Sequence, residues 1–103
     1  MQHLNFKKSL IARNFADRML GLHKNPNKIL IFKTRFGIHT FFLKKKIDIL
    51  ILDKDKKVVG MKESLEPNRI LFWNPKYFWV IELPAREIKN LKIKLNDFVN
   101  FKN

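Results

Sequence analysis

Residues 47–52 read Ile-Asp-Ile-Leu-Ile-Leu. In an extended strand successive side chains alternate between faces, so Ile47, Ile49 and Ile51 point one way and Asp48, Leu50 and Leu52 the other. Both faces are apolar, which makes this a central strand of a sheet. Asp48 is then the anomaly. An ionised carboxylate on the Leu50 and Leu52 face is costly if dry, so it must accept hydrogen bonds from backbone or a cationic partner, sit at the sheet's rim, or be protonated.

The flanks extend the pattern. Asp53 to Lys57 supplies a polar hairpin turn, with Lys56 where a turn of this kind favours Gly or Asn, and Val58, Val59 and Met61 begin the return strand. Ile29 to Lys33 reads as a short strand followed by a corner at Gly37. Phe78 to Leu83 is a further strand, stopped by Pro84, and Asn96 starts a last one through Phe101. Between them Glu66 to Lys76 is irregular or edge-like, although Ile70, Leu71, Phe72 and Trp73 must find cover. Ala85 to Asn90 can make one helical turn. At the other end, Ile11, Ala12, Phe15, Ala16 and Met19 form a helical stripe, which Ser9 can cap and Gly21 can end, so a helix is predicted over Ser9 to Leu20. The expected architecture is one α+β domain over residues 1–103: a mainly antiparallel, curled β-sheet with an N-terminal amphipathic helix and a short second helical turn.

Several motifs resemble the Domain of Unknown Function 192 family. In A-R-N-F-A-D-R-M-L-G-L-H, from Ala12 to His23, the residues Arg18, Gly21 and Leu22 match that family's helix-ending pattern, and His23 replaces its Met. In the block from His39 to Asp53, Asp48 matches; Phe42 and Leu43 stand where Trp and Met are usual, and Lys44, Lys45 and Lys46 replace a mostly neutral turn. V-I-E-L-P-A, from Val80 to Ala85, is similar to the family's Glu-Leu-Pro-Ala segment. Arg86 departs from the Gly that follows it, and Asn96 with Asp97 replaces a Gly-Asp pair. The resemblance spans residues 12–101 and implies a compact, sheet-rich, half-barrel-like fold. It implies no particular reaction.

Charge is the strongest compositional signal. The chain carries 22 Lys and Arg against 9 Asp and Glu, a net charge of +13, and 11 of the basic residues but only one acidic residue lie before Ile47. An AT-biased genome would inflate Lys, Ile, Asn and Phe together, yet it accounts less well for this asymmetry. Such a field attracts polyanions and acidic protein surfaces. With no cysteines there are no disulfides or thiolate ligands. His3, His23 and His39 lack metal-ligand spacing, so neither metal nor cofactor is expected. No apolar run approaches the roughly 20 residues that cross a bilayer, and the segment after Lys7 and Lys8 is broken by Arg13, Asp17 and Arg18, which points to the cytoplasm without membrane attachment.

Two functions compete at this level. One is a non-enzymatic interaction module whose basic surface, with Lys7, Lys8, Arg13, Lys44, Lys45 and Lys46, docks on an acidic partner. A protein surface is favoured because no nucleic-acid fold signature is present, with nonspecific nucleic-acid affinity at low salt. The other is a small-ligand-binding protein or hydrolase-like enzyme using a groove lined by Arg18, His39, Asp48 and Glu82, in which two carboxylates and an imidazole could activate water if they converged. No Gly-rich phosphate loop, nucleophile elbow or metal motif accompanies them, so a structural role is favoured, with Arg18 and Asp48 or Glu82 as an ion pair pinning helix to sheet. Phe72, Trp73, Tyr77 and Trp79, near two prolines, could leave an apolar edge for self-association.

Overall fold

Ile47–Leu52 is a strand buried at every position, and it is internal to its sheet. The computed structural model describes residues 2–6, 9–12, 29–35, 37–41 and 43–101, with the side chains of 9–12 left undescribed. Over these the strands are β1 (His3–Asn5), β2 (Ser9–Ala12), β3 (Ile29–Lys33), β4 (Gly37–His39), β5 (Ile47–Leu52), β6 (Val58–Leu65), β7 (Ile70–Phe72), β8 (Trp79–Pro84) and β9 (Phe98–Asn100), with one helical turn, α1 (Glu87–Asn90), between β8 and β9.

Five strands make the main sheet in the order β2-β3-β8-β5-β6, parallel between β2 and β3 and antiparallel elsewhere. Two ribbons flank it, β1 with β9 in parallel and β4 with β7 antiparallel. The alternation in β5 explains the layering. Leu50 and Leu52 join Ile31, Ile81 and Leu83 in one core, which Leu4 and Val99 of the first ribbon cover together with Ile88 and Ile93 of the α1 segment. Ile47, Ile49 and Ile51 join Leu30, Phe32 and Val80 in a second core, covered by Ile38 and Leu71 of the other ribbon. Each fully buried Ile or Leu contributes about 1.5–3 kcal/mol, so a strand loaded on both faces anchors both halves of the molecule.

The turn after β5 closes as its residues dictate. Asp53 accepts backbone hydrogen bonds from Asp55 (2.9 Å) and Lys57 (3.0 Å) at Oδ1, and Lys56 adopts a positive φ of 65°. The β9 ribbon reaches this hairpin through Val58 N–H to the Asp97 carbonyl (2.8 Å) and Val99 N–H to the Lys56 carbonyl (2.9 Å). Asp97, which is buried, fastens the N-terminal segment: its carboxylate accepts from the Gln2 amide (2.9 Å), the Gln2 side chain (2.8 Å) and the Lys94 amide (2.8 Å). Burial would push this carboxyl up, but the hydrogen bonds from Gln2 and Lys94 outweigh it and hold the group below its ordinary value.

Two expectations need correction. The helix predicted from Ser9 does not begin there, because Ser9–Ala12 is strand β2, paired in register with Ile29 to Phe32; residues 13–20 lie outside the described residues. A short apolar run satisfies either periodicity, and pairing with a distant strand decided it. The curled, half-barrel-like sheet is also overturned. The described strands form an open five-stranded sheet with edges at β2 and β6 plus two separate ribbons, and the only helix among the described residues is α1, so the class is mostly β rather than α+β.

Candidate functional site: a basic and aromatic face

Asp48 is fully buried, and both carboxylate oxygens are spoken for by backbone. Oδ1 accepts from Ser64 N–H (2.8 Å) and Oδ2 from Ile88 N–H (2.9 Å). Each donor is available for a local reason. Between the Ile47–Leu65 and Ile49–Lys62 pairs β6 carries one extra residue, a bulge that places Ser64 at a φ of 51° and leaves its amide off the ladder. Ile88 stands in the first turn of α1, whose N-cap residue Arg86 offers no side-chain cap. The first amides of a helix lack partners within it, and Asp48 supplies one from another element. The carboxylate therefore joins β5, β6 and α1.

The grouping of Arg18, His39, Asp48 and Glu82 takes a different form. Asp48 pairs across β5 and β8 with Leu83, whereas Glu82 pairs with Ile49, so the two carboxylates lie on opposite faces of the main sheet. Both are buried. His39 belongs to the β4–β7 ribbon beside inward-facing Ile38; its Nδ1 accepts from the Phe41 amide (3.3 Å) and its ring stacks on Phe41 at 4.7 Å and 24°. These three side chains do not share one concavity. Arg18 lies outside the described residues, as do Lys7, Lys8 and Arg13. Among the described residues no cluster of three His, Asp or Glu could hold a metal ion, and no helix is long and apolar enough to cross a membrane.

What does come together is an outward face on the ribbon. Ile38 and Leu71 pair and turn inward to the second core; the neighbouring pairs, Gly37 with Phe72 and His39 with Ile70, turn outward. Phe72 is 74% exposed, Ile70 54% and Phe41 36%. Gly37 is required there because a Cβ would run into the Leu71 carbonyl oxygen, so Phe72 has no cross-strand side chain to cover it. Thr40, fully buried, organises the base of this face. Its hydroxyl donates to the Glu66 carbonyl (2.7 Å) and accepts from the Arg69 amide (2.9 Å), while its carbonyl accepts from Asn68 (3.1 Å) and Leu43 (3.3 Å) amides. The connection that follows carries Lys44, Lys45 and Lys46, all exposed, and Leu43 packs on the same core as the ribbon.

Sequence reasoning found the lysines and offered Phe72 as part of an apolar edge, but missed Thr40 and the exposure of Ile70, for which cover was expected. The available signal was Gly37, whose missing side chain leaves a bare place opposite one residue of a paired strand. Of the apolar edge suggested for residues 72–79, Phe72 is exposed, whereas Trp73 is half-buried with its Nε1 donating to the Tyr77 carbonyl (2.7 Å), and Trp79 is buried. Two other cations lie over the protein's own rings: Lys33 Nζ stands 4.8 Å from the Trp79 ring and Lys56 Nζ 4.4 Å from that of Phe101.

Comparison with known proteins agrees with the motifs. A UPF0127 protein of Pyrococcus abyssi is 40% identical over 98 residues, covering 88% of this chain and 83% of that protein. A second, from Pyrococcus horikoshii, is 33% identical over 98 residues, covering 88% and 84%. The solved structure of a protein of unknown function from Novosphingobium aromaticivorans superposes with a TM-score of 0.71 at 19% identity, covering 85% of this chain and 70% of that one, a likeness of fold. The model of the Domain of Unknown Function 192 family (Uncharacterized ACR) matches residues 4–101, and the chain belongs to that family.

Proposed function

We propose that the chain is a cytoplasmic, non-enzymatic docking module whose basic face, centred on Lys44, Lys45 and Lys46, engages an acidic macromolecule. One observation carries this reading: three consecutive lysines are exposed on a connection held by Thr40, which follows the partly exposed Phe41. A fixed cluster of cations speeds encounter with an anionic partner and orients it, and apolar surface at its centre adds short-range affinity. Lys7, Lys8 and Arg13 contribute to the long-range field through their charge. The groove reading has no such support, since Asp48 and Glu82 are separated by the sheet.

The test separates position from total charge. The triple variants K44E/K45E/K46E and K89E/K92E/K94E have the same net charge, but the second set is exposed on the α1 side, which covers the opposite core. Binding to a labelled single-stranded oligonucleotide and to a polyglutamate peptide is followed by fluorescence anisotropy at about 50 and about 200 mM salt. The reading expects at least one probe to bind at low salt, to weaken steeply at higher salt, and to lose about tenfold more affinity with the first triple variant than with the second. No binding at low salt, or equal losses, would contradict it.

A further inference from the structure

We infer that the outward face of the β4–β7 ribbon is a stacking platform for single-stranded nucleic acid, with Phe41 and Phe72 receiving bases and Lys44, Lys45 and Lys46 receiving phosphates. This rests on the docking reading and names its partner. Unpaired strands are bound without sequence preference by aromatic rings that stack on successive bases, combined with cations that track the backbone. The ribbon has the first component. Phe72 is 74% exposed with only Gly37 opposite it, and the Phe41 ring lies against His39 at 4.7 Å in a loop whose backbone is tied to Thr40. Lys44, Lys45 and Lys46, three to five residues beyond Phe41, supply the second, and Arg69, exposed beside Ile70, adds a further cation whose carboxylate neighbour Glu66 is 3.5 Å away.

Charge argues against the simplest rival, a second copy of the chain. Self-association through this face would bring two sets of the same lysines together on molecules that each carry +13, and like charges juxtaposed across an interface are strongly unfavourable. Duplex is a poor fit because its bases are already stacked, which leaves the rings with nothing to receive and only the lysines to bind. An acidic protein surface would satisfy the lysines, but exposed rings together with a cation run match the stacked bases and the phosphates of an unpaired strand.

The experiment measures binding of a short fluorescein-labelled oligothymidylate to the intact chain across a salt series. The variants are F41A/F72A, K44E/K45E/K46E and the K89E/K92E/K94E control. Because Phe41 and Phe72 are exposed, F41A/F72A is expected to keep the wild-type melting temperature to within a few degrees, which circular dichroism verifies. The inference expects F41A/F72A to weaken binding about tenfold or more with the salt slope unchanged. The lysine reversal should weaken binding and lower the slope by about 2. An oligothymidylate affinity unaffected by F41A/F72A, a duplex of equal length bound as tightly, or a polyglutamate peptide bound more tightly overturns the platform. If the lysine reversal still exceeds its control in any of those cases, the docking reading stands without it; if it does not, both fall.

Discussion

Asp48 illustrates how one residue is committed by geometry. Its two oxygens accept one amide from the β6 bulge and one from the first turn of α1. An Asn in its place has one oxygen and one NH₂ group, so one of those amides would face another donor. Asp48→Asn is expected to lower unfolding free energy by about 3 kcal/mol in denaturant titration, with faster hydrogen exchange at Ser64 or Ile88; an unchanged midpoint contradicts the clamp. Asp97 makes a pH prediction. Its carboxyl titrates lower in the folded chain than in the unfolded one, so its contribution is fully present above the ordinary carboxylate value of about 3.9 and is lost as pH falls through the folded value, where the unfolded chain binds more protons. Asp97→Asn should cost about 1–3 kcal/mol near neutrality and flatten this acid limb of stability against pH. A variant with the wild-type acid limb would show that Asp97 does not cause it.

Residue-level departures from the family pattern also have consequences. Arg86 and Asn96 stand where the family has Gly, and both adopt positive φ, 77° and 76°. A side chain in the left-handed region is strained, Asn least among them, whereas Gly is not. Arg86→Gly should therefore raise stability by up to about 1 kcal/mol, and Asn96→Gly by less, as read from melting temperatures. A loss at Arg86 would mean that its side chain holds something worth more than the strain. Both positions were legible in the sequence as mismatches, but their cause became visible only with the backbone angles.

Among the elements, β3, β5, the Asp53–Lys57 hairpin, β8 and the α1 turn follow from local pattern, since strand alternation, turn chemistry and a stopping proline act within a few residues. β2 does not follow, because its conformation is set by parallel pairing with β3 some twenty positions on. The ribbon was only half legible. Leu71 finds cover and Phe72 does not, a split that depends on register with Gly37–His39. Gly37→Ala tests that ribbon directly. The added methyl meets the Leu71 carbonyl oxygen, so β4 and β7 must move apart, at a cost of about 1–3 kcal/mol and with loss of the low-salt binding ascribed to the outward face. Unchanged stability and binding would show that close approach at Gly37 is not required.

At the scale of the whole molecule, a five-stranded sheet lies between two ribbons and commits its buried carboxylates to opposite faces. That division leaves no shared centre built from Asp48 and Glu82. Among the described residues the charge asymmetry read from the sequence is borne by Lys33, Arg35, Lys44, Lys45 and Lys46, all exposed, of which the last three are consecutive. The most direct measurement is amide chemical-shift mapping by NMR while a short oligothymidylate is titrated in at low salt. The docking account together with the stacking platform predicts that the largest changes fall on Phe41, Lys44 to Lys46, Ile70 and Phe72. Changes centred instead on Lys89 to Lys94, or spread evenly over all exposed lysines, would contradict it.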